Sequence, residues 1–159
     1  MNFSCKFYQI FFIVPRKTKM QQAQKTNIPQ IKFLLEENGL PIADIETNID
    51  FYIGIENNHI VVTGGLEPAG EDVIMRSIAV AENFKGKGFG AKMTRYLIGI
   101  AKKNKSNTVF LLTMTAENYF PKFGFIAVKR ESAPEPIKNS SEFTTVCPDS
   151  AILMKLEIN

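Results

Sequence analysis

Between Ile74 and Ile100 an apolar stretch runs into a glycine-rich basic turn and then into a helical pattern. The order is Ile74-Met75-Arg76-Ser77-Ile78-Ala79-Val80, then Ala81-Glu82-Asn83-Phe84, then Lys85-Gly86-Lys87-Gly88-Phe89-Gly90. Phe89, Met93, Leu97 and Ile100 follow at helical spacing, with Lys92, Arg95, Lys102 and Lys103 toward water. A strand that reaches a helix through closely spaced glycines leaves several N–H groups without an intrahelical partner. Few side chains obstruct them, and the helix dipole adds positive potential, so a phosphate can approach.

The rest of the chain sets the frame. At 159 residues, 45% apolar and 22% charged, it suits one α/β domain with an ordinary core. A formal charge of +3 favours small anionic ligands and is far below the basic stripe of a nucleic-acid binder. Cys5, Cys147 and the single His59 make no metal-ligand spacing, so no metal site is expected, and reduced thiols point to the cytoplasm. Phe7 to Val14 is apolar but too short to span a bilayer, and the basic residues follow it, so no membrane segment or secretory signal is expected. Residues 1–19 read as an N-terminal extension and residues 20–159 as the domain.

Strands are expected over Met20 to Ala23, Phe51 to Glu56, Ile60 to Leu66, Val73 to Val80, Val109 to Thr115, Gly124 to Val128 and Ile152 to Ile158. Asn57-Asn58 is a hairpin turn. A helix capped by Asn27 carries Ile28, Ile31, Leu34 and Leu35 and stops at Asn38-Gly39-Leu40-Pro41. A short helix is expected over Glu117 to Lys122.

Three ligands compete for the turn. Gly86, Gly88 and Ala91 fit a dinucleotide fingerprint, which wants an acid about twenty positions on. No Asp or Glu occurs from Asn83 to Ala116. A P-loop needs Gly-Lys-Ser/Thr, which is absent. The third is the pyrophosphate of an acyl-CoA, which Lys85, Lys87 and Lys92 would suit. Taken alone, the turn could also be a solvated loop before an amphipathic helix.

From Met20 onward the chain resembles the GCN5-related N-acetyltransferase (GNAT) family. The family's Arg/Gln-x-x-Gly-x-Gly/Ala motif is matched by Lys85-Gly86-Lys87-Gly88-Phe89-Gly90, and its aromatic helix ending in Gly-Phe by Tyr119-Phe120-Pro121-Lys122-Phe123-Gly124-Phe125. The resemblance implies a mixed, mostly antiparallel twisted sheet flanked by helices and splayed between strands 4 and 5. It also implies acetyl-CoA as co-substrate, held by Ile78, Ala79, Val80, Lys85, Gly86, Lys87, Gly88, Phe89, Gly90, Ala91 and Phe120. A narrower resemblance is to the arsinothricin and phosphinothricin-type N-acetyltransferases associated with arsenic resistance. It is carried by Gly65-Leu66-Glu67-Pro68, Met75-Arg76-Ser77, Leu111-Leu112-Thr113, Phe120, Glu142-Phe143 and Cys147-Pro148-Asp149-Ser150-Ala151.

The implied reaction is attack of a neutral amine on a thioester, so a base is needed. Glu67 is the expected base at the cleft mouth, and the bland alternative is an exposed loop carboxylate. Arg76, inside an apolar strand, needs an anion: either a substrate oxyanion or a structural partner such as Glu67 or Glu71. Ser77, Thr113 and Thr115 are further candidates for the acceptor side, though Thr is also simply a good strand residue. Many family members place a Tyr at the position of Phe120 to protonate the leaving thiolate, which leaves Tyr119 or water for that task. Cys147 lacks a supporting His and reads as packed. The expected substrate is a small amino-acid-like amine, with another metabolite, a protein amine or a non-catalytic acyl-CoA sensor as alternatives. Homodimerisation through the C-terminal strand or the aromatic N-terminus stays open.

Overall fold

The computed structural model describes residues 18–158. The expected extension, with Phe7 to Val14 and Cys5, lies almost wholly outside the described residues. Seven strands, β1 (Lys19–Gln22), β2 (Asp50–Glu56), β3 (His59–Ala69), β4 (Asp72–Val80), β5 (Thr108–Thr113), β6 (Ile126–Val128) and β7 (Ile152–Glu157), form one sheet in the order β1-β2-β3-β4-β5-β7-β6. Every neighbouring pair is antiparallel except β4 and β5. The helices are α1 (Ile28–Glu37), α2 (Phe89–Lys103) and the single turn α3 (Glu135–Lys138).

Strand alternation decides which helix covers which face. Tyr52, Val62, Leu66, Val73 and Met75 pack with Phe89, Met93, Leu97 and Ala101 of α2. Phe51, Ile53 and Ala79 pack with Ile31, Leu34 and Leu35 of α1 on the other face. Ile74, Phe110 and Leu153 meet Ile137 of α3 on that same second face. The buried stripe of α2 ends on Ala101, with Ile100 half-buried. Each of Phe89, Met93 and Leu97 contributes ~1.5–3 kcal/mol through burial.

Local signals account for most boundaries. Asn57 and Asn58 both take positive φ (48° and 64°), as a two-residue hairpin with the sheet's twist requires. Gly39 takes φ 66° after α1, where Leu40 N–H bonds Leu35 O at 2.9 Å. Asn27 stands at the start of α1, but its side chain accepts Gln24 N–H at 2.9 Å and does not cap the helix. The helix expected over Glu117 to Lys122 is instead a 3-10 turn, Phe120–Phe123. Pro121 has no N–H for a longer helix, and Gly124, at φ 96°, ends the turn.

Two irregularities shape the middle of the sheet. Thr63 pairs with Ala79 but Gly65 pairs with Arg76, so β4 carries one extra residue opposite Gly64. Ser77 sits in this bulge at φ 57°. The bulge shifts the alternation, so Ile78 and Val80 join Met75 on the α2 side while Ala79 faces α1. A Cβ on Gly64 would come within 2.9 Å of Met93 Cγ and Leu97 Cδ1, so glycine lets α2 lie close to the sheet. β4 and β5 part just past Ile74, before the bulge is reached. They pair only at Val73↔Val109 and Ile74↔Phe110, whereas β5 stays paired with β7 along its whole length. The expected splay between strands 4 and 5 is present.

Candidate functional site

The turn before α2 keeps its amides accessible. Gly86 and Gly88 adopt φ 73° and 83°, and a Cβ on either would meet nothing within 4 Å, so their backbone conformation, and not crowding, calls for glycine. Lys92 N–H is bonded to Gly88 O at 3.0 Å, so the amides of Phe89, Gly90 and Ala91 precede the helical ladder. Lys85 is paired with Glu82 at 2.6 Å, while Lys87 donates to Asn83 O at 2.8 Å and lies over the Phe84 ring. Lys92 lies over Phe89. The Tyr119 hydroxyl is 3.3 Å from where a Gly90 Cβ would stand, so Tyr119 abuts this turn.

The gap between β4 and β5 opens a cleft of about 560 Å³. Met75 to Ile78 form one wall, Leu111 to Ala116 with Phe120 the other, and Asn38 to Pro41 with Glu142, Val146, Cys147 and Pro148 complete it. Of the expected site residues, the structure brings Arg76, Ser77, Ile78, Thr113, Thr115 and Phe120 together here. Thr113 Oγ1 accepts Ala116 N–H at 2.9 Å and so shapes the turn after β5. Tyr119 and Glu67 are not in the cleft wall, Ala79 packs toward α1, and Val80 O accepts an Asn38 side-chain N–H at 3.2 Å. A second cavity of about 660 Å³, against Lys25, Ile28, Lys32 and Ile45, shares no lining residue with the cleft.

Arg76 is the centre of a buried ionic cluster. β3 continues to Ala69, so Glu67 lies inside the strand opposite Ile74 and is only 7% exposed. Arg76 Nη1 donates to Glu67 Oε2 at 2.6 Å and to Ser141 Oγ at 3.2 Å. Asp44 grips the guanidinium with both oxygens, Oδ2 at 2.7 Å from Nη1 and Oδ1 at 2.8 Å from Nη2. Glu142 Oε2 lies 2.8 Å from Nη2, and Ser141 Oγ donates to Asp44 Oδ2 at 2.6 Å. Arg76 Nε is buried without a partner. Arg76 therefore has the structural ion pair with Glu67 that its burial demanded, extended by two acids that sequence reasoning gave no role. The hints available were polar residues in apolar company, Asp44 next to Ile45 and Glu142 beside Phe143, and for Glu142 its place in a segment that carries the narrower resemblance.

Burial raises the Asp44 pKa, but the hydrogen bonds from Arg76 and Ser141 outweigh it and hold Asp44 below the usual carboxylate value. Glu142 goes the other way: burial raises its pKa by more than the Arg76 charge lowers it. Cys147 donates its thiol to Glu142 Oε1 at 3.3 Å, and burial together with that carboxylate pushes it up to about 12. A thiol so protonated is no nucleophile, as its lack of a His partner had implied. Among the described residues no His, Cys, Asp or Glu group is arranged to hold a metal, and no helix is long and apolar enough to cross a membrane.

The acetyltransferase (GNAT) domain family matches residues 47–127, a stretch that includes both the glycine turn and the splayed strands β4 and β5. The chain belongs to the GNAT acetyltransferase family. It is similar to [Citrate [pro-3S]-lyase] ligase of Escherichia coli K12, 26% identical over 110 residues that are 68% of this chain and 29% of that protein. The chain thus spans less than a third of that curated relative's length. Its fold also matches N-acetylglutamate synthase from Neisseria gonorrhoeae, solved with coenzyme A and N-acetyl-glutamate. That match has a TM-score of 0.76 and 18% identity, over 89% of this chain and 35% of the synthase. The ribosomal-protein-S18-alanine N-acetyltransferase from Escherichia coli matches with a TM-score of 0.70 and 17% identity, over 89% of this chain and 94% of that one. The mixed sheet with its single parallel pair is the GNAT fold.

Proposed function

We propose that this GNAT domain transfers the acetyl group of acetyl-CoA to the primary amine of a small molecule. The observation that carries the reading is a cleft between diverging β4 and β5 that is linked to the open amides before α2 by Tyr119, which abuts Gly90 and packs edge-on against the cleft residue Phe120. The amides from Gly86 to Ala91 would bind the pyrophosphate, and Lys85, Lys87 and Lys92 would add charge for it. The β4 backbone over Ile78 to Val80 and the Phe120 ring would flank the pantetheine arm. Acetyl-CoA supplies the thioester, and the chain's residues have to orient the amine and accept its proton.

Glu142, on the cleft wall and paired with Arg76, supports amine deprotonation there, while the expected base Glu67 is held by Arg76 and does not line the cleft. Phe120 has no proton to give, and the Tyr119 hydroxyl lies against Gly90. That position favours a Tyr119 role at the phosphate end, with the leaving thiolate protonated by water. An acceptor with a second anionic group, of the phosphinothricin or arsinothricin type, rests on Arg76 as its clamp. Both terminal nitrogens of Arg76 already hold carboxylates, so such a substrate would have to displace one. A small amine without that second anion needs no exchange, and the cluster's excess of negative charge favours it.

A screen of primary amines against acetyl-CoA, reading free thiol and the mass of the N-acetyl product, tests the proposal. Phosphinothricin, neutral amino-acid amides, diamines and short peptides belong on it. Turnover of one or more small amines is expected. Tight acetyl-CoA binding with no transfer to any amine would favour an acyl-CoA sensor and overturn the proposal.

A further inference from the structure

We propose that Glu142 is the group that takes the proton from the acceptor amine, with Arg76, Asp44 and Glu67 as its positioning residues. The proposal rests on the acetyl-transfer reading and assigns one step of it to a side chain. Among the described residues lining the cleft, Glu142 is the sole carboxylate; Asp44 and Glu67 reach Arg76 but not the cleft wall.

Its orientation is fixed from several sides. Arg76 Nη2 holds Oε2 at 2.8 Å, and the Cys147 thiol donates to Oε1 at 3.3 Å. The backbone is held as well, since Cys147 N–H bonds Glu142 O at 3.0 Å and closes the π-type turn Glu142–Val146. This winding brings Glu142, Val146 and Cys147 to the same cleft wall.

The charge balance also suits a proton acceptor. Facing Glu142 are Arg76 from β4, Glu67 from β3, Asp44 from the segment between α1 and β2, and Cys147 from its own turn. In an isolated Arg–Glu pair, protonating the Glu would leave a buried guanidinium bare. Here Arg76 keeps Asp44 and Glu67 when Glu142 is neutral. Burial, aided by the two neighbouring carboxylates, outweighs the Arg76 charge and raises the proton affinity of Glu142 above the ordinary carboxylate value.

The step balances as follows. An ammonium proton moves to a Glu142 oxygen, and the freed nitrogen pair forms the N–C bond at the thioester carbonyl. The C–S bond breaks with its pair on sulfur, the second nitrogen proton passes through water to that thiolate to leave the neutral amide and the coenzyme A thiol, and Glu142 returns the first proton to water in the open cleft.

The test compares Glu142→Gln, Glu142→Asp and Glu67→Gln in kcat, KM and pH profile, with acetyl-CoA binding measured on each variant. Glu142→Gln should lower kcat about 10²- to 10⁴-fold, abolish the ascending acid limb of kcat/KM and leave acetyl-CoA affinity unchanged. Glu142→Asp should keep that limb at a reduced kcat. Glu67→Gln should keep the limb but move it, because it alters the partners of Arg76. In a Glu142→Ala variant, added formate should restore part of the rate. Near-native kcat with an intact limb in Glu142→Gln would overturn the proposal, as would loss of the limb in Glu67→Gln alone. Wild-type protein that acetylates no amine would instead overturn the acetyl-transfer reading, and this assignment with it.

Discussion

Replacing Arg76 by Met removes the one cation that three buried or partly buried carboxylates share. Glu67 and Glu142 are each 7% exposed, so neither can recover its lost partner by turning to water. Stripping one partner from a buried ion pair costs roughly 3–5 kcal/mol, because the remaining charge stays desolvated. In a domain of this size about 1 kcal/mol lowers Tm by 2–4 °C, so a fall of roughly 6–20 °C is expected at pH 7.5. Calorimetry at pH 7.5 and 4.5 then separates charge from packing. In the native protein the pKa of Asp44 is held below the ordinary 3.8. Its contribution is therefore present above that value and is lost only as the pH falls through the lowered one. Glu142, already raised, costs stability at pH 7.5 in both proteins. Without Arg76 the folded-state pKa values of Asp44 and Glu142 rise, so the added cost is full at pH 7.5 and is relieved as acid protonates them. The Tm gap between the two proteins must narrow at pH 4.5. A gap below about 2 °C at pH 7.5, or one of equal size at both pH values, would refute the reasoning.

Gly64→Ala places a methyl 2.9 Å from Met93 and Leu97 side-chain atoms, and thermal unfolding should show a loss of about 1–3 kcal/mol. With a pKa of about 12, the Cys147 thiol is ionised in about one molecule in ten thousand at pH 8. Iodoacetamide followed by peptide mapping should label it readily in denaturant and barely in native protein. Tyr119→Phe should raise the KM for acetyl-CoA more than it lowers kcat; a kcat loss beyond about tenfold at constant KM would make Tyr119 the proton donor.

What the sequence disclosed follows the range of the forces involved. The glycine turn, the Asn57-Asn58 hairpin, the α1 stop at Gly39 and the helical stripe of α2 are set by neighbours a few residues away. All were legible, and so was the family likeness, which the glycine turn and the segment from Tyr119 to Phe125 carry. The bulge at Ser77 was not, because the extra residue shows only once β4 is paired against β3 across Gly64. Of the ionic cluster only the Arg76–Glu67 pair was foreseen, as one alternative for a buried guanidinium; Asp44 and Glu142 come from separate segments, and the fold alone brings them to Arg76. Glu67 illustrates the difference. Followed by Pro68, it read as a cleft-mouth residue, yet β3 runs on to Ala69 and carries it into the interior. The aromatic segment fell between these cases, since its residues were recognised but Pro121 and Gly124 shorten the helix to one tight turn.

The central claim is that the turn before α2 and the β4 side of the splay form one binding surface for acetyl-CoA. Amide hydrogen exchange with and without coenzyme A tests it most directly. Binding should slow exchange over Gly86 to Ala91 and over Ser77 to Val80, while the β2–β3 hairpin stays unchanged. Protection confined to the cavity at Lys25 and Lys32, or no binding at all, would contradict the account.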